Sequence, residues 1–102
     1  MLASFSVAPL GVEGGVSHLV AEILELVEHS GLDYRVGAMQ TTVEGEPEEV
    51  MGLIMACHNH MRSRAPRVFT HIALDDRVGA TGRLEGKVAS VEKVLGRTLR
   101  HE

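Results

Sequence analysis

The run Asp33-Tyr34-Arg35-Val36-Gly37-Ala38-Met39-Gln40-Thr41-Thr42-Val43-Glu44 decides the fold of this chain. Tyr34, Val36, Thr41, Thr42 and Val43 are β-favouring residues, and the run lies between two segments of helical periodicity. It predicts two strands, Asp33 to Ala38 and Met39 to Glu44, joined by a tight turn in which Gly37 is a turn residue or a bulge. A one-residue slip in that turn determines whether Thr41 or Thr42 faces the core.

Upstream of this pair, Val16, Leu19, Val20, Ile23, Leu26 and Val27 form one apolar stripe of a helix from about Ser17 to Ser30. Ser17 is its candidate N-cap, and Gly31 stands where a left-handed glycine ends a helix. Before it, Ala3, Phe5 and Val7 alternate with Ser4 and Ser6, the period of a half-buried strand from Leu2 to Ala8 that Pro9 and Gly11 end. Downstream, Gly45-Glu46-Pro47-Glu48-Glu49 opens a second helix, with proline and acids suited to its first turn. Its stripe is Val50, Leu53, Ile54, Cys57 and Met61, and it ends before Pro66. Arg67 to Leu74 alternates as a fourth strand, with Val68, Thr70, Ile72 and Leu74 on one side and Phe69, His71, Ala73 and Asp75 on the other. A third helix spans about Arg83 to Leu95, with Leu84, Val88, Val91 and Leu95 on one face, and a polar tail runs from Arg97 to Glu102.

The order β-α-β-β-α-β-α gives an α+β class and a ferredoxin-like βαββαβ sandwich with an extra C-terminal helix, one domain over residues 1–102. Its first and third strands are central. The two helices cover Ala3, Phe5 and Val7, which leaves Ser4 and Ser6 on the open side together with Phe69, His71, Ala73 and Asp75. Such a face is too apolar to stay bare and too polar for a dry core. Two copies packed through it would bury the apolar groups and leave polar ones around a pocket, or form a simple dimer without a ligand.

Composition removes several function classes. At 102 residues, with 44% hydrophobic and 24% charged, the chain is an ordinary globular sequence. Phe5, Phe69 and Tyr34 are its only aromatic residues, and the net charge is −4. Neither feature suits nucleic acid, which calls for basic patches and stacking platforms. No apolar run approaches a membrane span, the first ten residues do not read as a signal peptide, and a cytoplasmic location is expected. Cys57 is the only cysteine, so an internal disulfide is excluded.

Metal and catalytic readings are weak. Cys57-His58-Asn59-His60 looks like a ligand cluster, but on a helix His58 and His60 point to nearly opposite sides. The six histidines lack the spacing of a zinc helix, and no metal or cofactor is expected. Glu44, Asp75 and Asp76 are the candidate acids and His71 the candidate base, with no nucleophile placed beside a base in the sequence. Each also has a plain structural role: a strand-end acid, a loop ion pair, a packed interface histidine. Gly14-Gly15 does not match a dinucleotide fingerprint.

Four stretches and a closing segment occur in one order: Phe5-Ser6-Val7-Ala8-Pro9-Leu10-Gly11, Met39-Gln40-Thr41-Thr42-Val43-Glu44-Gly45, Val50-Met51 with Cys57-His58, Ile72-Ala73-Leu74-Asp75-Asp76-Arg77, and Lys87-Val88-Ala89-Ser90-Val91-Glu92. Together they resemble the thiamine-binding protein family of small ferredoxin-like proteins, from Met1 to about Leu95. The resemblance implies a cytoplasmic protein that binds thiamine or its hydroxymethylpyrimidine part and assembles as a homo-oligomer, a tetramer, without an established reaction. On that resemblance Ser6, Met39, Thr41, Glu44 and Asp75 take the pocket positions. Ser6 and Thr41 would hydrogen-bond the aminopyrimidine, Met39 would pack on its ring, and an acid would meet the amino group or cation. Ala73, where the family often has Lys, and Gln40, where Gly is common, depart from its pattern. The alternatives are a small ferredoxin-like enzyme acting on a thiamine-related compound, and a purely structural or regulatory oligomerisation domain.

Overall fold

The computed structural model describes residues 1–100. The last two positions of the expected polar tail, residues 101–102, lie outside the described residues. Four strands and three helices follow in order: β1 (Leu2–Leu10), α1 (Ser17–His29), β2 (Asp33–Val36), β3 (Thr41–Glu44), α2 (Pro47–Arg62), β4 (Arg67–Asp75) and α3 (Arg83–Leu95). The sheet is antiparallel throughout, in the order β2-β3-β1-β4, so the expected ferredoxin-like topology is present with β1 and β3 central.

Ala3, Phe5 and Val7 point from β1 into a core shared with Leu19, Ile23 and Val27 of α1 and Val50, Leu53, Ile54, Cys57 and Met61 of α2. The i, i+3, i+4 spacing read from the sequence is the reason these side chains reach one face of each helix. Burial of such aliphatic side chains stabilises by roughly 1.5–3 kcal/mol apiece. A polar link joins the two helices at the surface. His60 Nε2 lies 2.6 Å from Glu22 Oε1, and Arg64 lies 3.2 Å from the other oxygen of that carboxylate. The hydrogen bond with His60, aided by Arg64, holds the Glu22 carboxyl below its usual range. His58 points the other way, with Nδ1 2.6 Å from Thr70 Oγ1 on β4. The two histidines therefore diverge as helical geometry requires, and Cys57 is buried between them, its thiol pushed up to about 11 by desolvation.

Four local expectations change. Pro9 does not end β1: it pairs opposite Val68, and the strand runs on to Leu10. The hairpin strands are shorter, because β2 stops at Val36 and β3 starts at Thr41. Residues 37–40 form the turn instead, closed by the Gly37 amide donating to the Gln40 carbonyl at 2.9 Å. Ser17 is the first helical residue, not the cap; Val16 occupies the cap position without a side-chain hydrogen bond. Gly31 does take a positive φ of 77° after α1, the conformation that favours glycine.

The fourth change concerns the open face. Cross-strand pairing puts Leu2, Ser4 and Ser6 on one side with Glu44, Thr42, Asp75, Ala73 and His71. That side is not wholly bare. α3 crosses its Leu2 end, where both Glu44 and Asp75 bond to it. α3 buries no residue completely, and its stripe thins out towards Val91 and Leu95, both exposed. On the other side β4 has Val68, Thr70, Ile72 and Leu74 as read, but α2 covers only the first half. Leu74 is left 49% exposed.

Candidate functional site

The five residues assigned to the pocket fall at opposite ends of the sheet. Glu44 and Asp75 both lie beside Leu2, whereas Ser6 is four residues further along β1, about 13 Å away at the ~3.3 Å rise of a strand. One chain therefore brings Ser6, Met39 and Thr41 together and leaves the two acids elsewhere.

At the acid end both carboxylates are already engaged. Glu44 Oε2 accepts from the Arg83 amide at 2.9 Å, and Glu44 Oε1 accepts from the Leu84 amide at 3.0 Å. These are unpaired N–H groups of the first turn of α3. Gly82, at the cap position with φ 65°, has no side chain to offer them. Asp75 receives Lys87 Nζ at 2.5 Å and the Arg83 guanidinium at 3.2 Å. The hydrogen bond from Lys87, with the charge of Arg83, holds its carboxyl below the ordinary carboxylate range. Arg35 of β2 pairs with Glu85 on the same helix. Sequence reading missed Arg83 and Lys87 as partners. Cations in the opening turns of a helix oppose its dipole, and that misplacement was the available signal. A broad cleft of about 660 Å³ lies beside this end, rimmed by Asp33, Glu46, Glu49 and Asp76. The Glu44 oxygens within it are already taken by α3.

The other end is a notch. β1 pairs with β4 along its whole length but with β3 only from Leu2 to Phe5. Beyond Phe5 the place of a neighbouring strand is empty, and the turn at 37–40 bends around it. The result is a cavity of about 210 Å³ between β1, the turn and the Val20, Ile23 and Leu24 side of α1. Residues of both sheet faces line it. Ser6 comes from the α3 side, while Thr41, opposite Phe5, comes from the helix-covered side. The register thus decides the open alternative: Thr41 faces the core and is 9% exposed, while Thr42 lies opposite Ser4 on the other face. Met39 is at the rim and 88% exposed, so it does not yet pack on anything. Gln40 also lines the cavity, and no charged residue does. This cavity is lined by one chain, rather than lying between two open faces.

Ser6 has a second neighbour. It pairs directly with His71 across β1 and β4, so the candidate base does meet a hydroxyl in space. Among the described residues no hydrogen bond joins them, and no carboxylate orients the imidazole. No group of three or more His, Cys, Asp or Glu residues among the described ones is arranged to hold a metal ion. No helix among them is long and apolar enough to cross a membrane.

Known proteins resemble this arrangement along most of its length. The UPF0045 protein Mb1933 of Mycobacterium bovis is 42% identical over 96 residues, covering 93% of this chain and 94% of that one. A solved structure of a candidate thiamine biosynthesis/salvage protein from Thermotoga maritima superposes with a TM-score of 0.77 at 30% identity, over 88% of this chain and 96% of that one. The hypothetical protein MJ1052 of Methanocaldococcus jannaschii gives a TM-score of 0.82 at 25% identity, covering 90% and 95%. The sequence profile described as thiamine-binding protein matches residues 3–92, which spans every strand and reaches into the last helix. The chain belongs to the thiamine-binding protein family.

Proposed function

We propose that the protein binds thiamine or its hydroxymethylpyrimidine moiety without turning it over, in storage, delivery or sensing. The observation that carries this reading is the convergence of Ser6, Met39 and Thr41 on the uncharged cavity of about 210 Å³. That volume lies below the roughly 300–1,000 Å³ of sites for drug-sized ligands. It suits one substituted pyrimidine ring, with the cationic thiazolium of thiamine left at the mouth. Ser6 and Thr41 hydroxyls can donate or accept at the ring edge, and Met39 can fold down over its face. Family membership and the likeness to a candidate thiamine biosynthesis/salvage protein support the choice of heterocycle.

The working unit in this proposal is a homo-oligomer, a tetramer, in the cytoplasm. β4 is an edge strand, and Phe69 at 57% exposure sits with Ile72 and Leu74 along it, more apolar surface than an edge strand normally leaves in water. Light scattering on the purified protein tests the subunit number; a monomer at working concentration would overturn it.

Isothermal titration with thiamine and with hydroxymethylpyrimidine tests the ligand. Saturable heat with either supports the reading, and none with both overturns it. Thr41→Val removes the hydroxyl at nearly constant volume; affinity should fall about tenfold, the worth of one hydrogen bond, while the fold persists. A catalytic alternative draws on the pairing of Ser6 with His71. Turnover of thiamine that disappears in His71→Ala would establish it in place of simple binding.

A further inference from the structure

We infer that Val7 reads the ligand through its main chain, the ligand taking the place of the strand residue that its N–H and C=O lack. This rests on the reading of the notch as the thiamine site and names the group that orients the ring there.

Strand geometry fixes where the Val7 groups point. At the start of β1 the Met1 amine donates to the Gly45 carbonyl at 2.8 Å, and the Gly45 amide donates to the Met1 carbonyl at 3.1 Å. In an antiparallel pair such doubly bonded positions recur at every second residue. Ala3 opposite Val43 and Phe5 opposite Thr41 are therefore the next two, and the main chain of Val7 is the third in the series. The intervening residues Ser4, Ser6 and Ala8 turn theirs to β4. Pro9 fits this phase: it has no N–H, and at its position none is needed by β4.

Continued in register, the partner of Val7 would be Met39. The chain has already left the sheet there, because β3 begins at Thr41. Val7 lines the cavity, and neither its N–H nor its C=O has a cross-strand partner among the described residues. Main-chain groups in such a place are nearly always matched, by water when the cavity is open and by a ligand that displaces it.

A 4-aminopyrimidine supplies the match. Its exocyclic amine donates and the adjacent ring nitrogen accepts, in one plane and side by side. The amine can donate to the Val7 carbonyl while the ring nitrogen accepts from the Val7 amide, as a strand residue would. The main chain cannot exchange donor for acceptor. A side-chain amide such as that of Gln40 can do so by rotating.

The 4-oxo analogue of thiamine, oxythiamine, therefore separates the two modes. Its ring N–H would face the Val7 N–H, and its carbonyl would face the Val7 carbonyl. Titration of the unmodified full chain should give oxythiamine an affinity lower than that of thiamine by about 100-fold or more. In ¹⁵N-labelled protein the Val7 amide resonance should move downfield and its exchange slow on saturation with thiamine. Oxythiamine binding within about threefold of thiamine, or a Val7 amide unmoved at saturation, would overturn the inference while leaving the ligand reading intact. Failure to bind either thiamine or hydroxymethylpyrimidine would overturn both.

Discussion

At one end of the sheet Glu44 and Asp75 hold down a helix that buries none of its side chains completely; at the other, Ser6, Thr41 and Val7 line a cavity. The α3 end is charged and closed. Two carboxylates there accept from backbone amides, a guanidinium and an ammonium, and replace the burial that α3 lacks. The notch end is uncharged and open, because β1 continues where β3 stops. The contrast shows that the most chemically conspicuous residues of a sequence can be fully occupied with structure. On the proposed reading, the ligand binds instead where strand pairing was left incomplete.

The comparison can be broken first in the core beneath the sheet. Phe5 is buried between Thr41 and Ile72 and lines the notch from the core side. Phe5→Ala should cost about 3–5 kcal/mol in urea denaturation and remove ligand binding with it. A loss below about 1 kcal/mol would mean that the two ends do not depend on one core.

Glu44→Ala separates the ends. α3 loses the acceptor for its first two amides, worth about 1–2 kcal/mol by analogy with helix caps, read as faster hydrogen exchange across Arg83–Leu95. Thiamine affinity should stay within about twofold, since sites this far apart act independently. A tenfold loss of affinity would return Glu44 to the ligand site.

Acid sharpens the same division. The Asp75 carboxyl titrates below its ordinary value of 3.8 because Lys87 and Arg83 favour the charged form. Its contribution to α3 docking is therefore complete above that value and is lost as pH falls through the depressed one. Exchange protection of α3 should decline across that window. If α3 were held by burial, its protection would be flat there.

The smallest effect is expected at Ser4, whose Oγ is buried without a hydrogen-bond partner. Ser4→Ala removes an unsatisfied hydroxyl and should be neutral or stabilising by up to about 1 kcal/mol, read as the shift in the urea midpoint. Clear destabilisation would mean that this hydroxyl has a partner in solution.

Much of the molecule was legible beforehand. The helix stripes at Leu19, Ile23, Val27 and at Val50, Ile54, Cys57, Met61 point inward as their spacing requires, and the strand order follows from the element order. The family resemblance selected Ser6, Met39 and Thr41, which converge on one cavity. It also selected Glu44 and Asp75, which do not join them. Their partners Arg83, Leu84 and Lys87 are 39, 40 and 12 residues away, beyond what local pattern reaches. The hairpin register was undecided between Thr41 and Thr42, since two adjacent threonines give period-2 patterning nothing to discriminate.

Periodicity and turn residues, then, were enough for the sequence to determine the elements, their order and the core, because each depends on near neighbours along the chain. Only the tertiary structure decided which acids are engaged, which threonine faces inward and where the sheet is left one strand short. Those outcomes depend on the unequal lengths of β1 and β3 and on where α3 lands, which are properties of segments meeting in space.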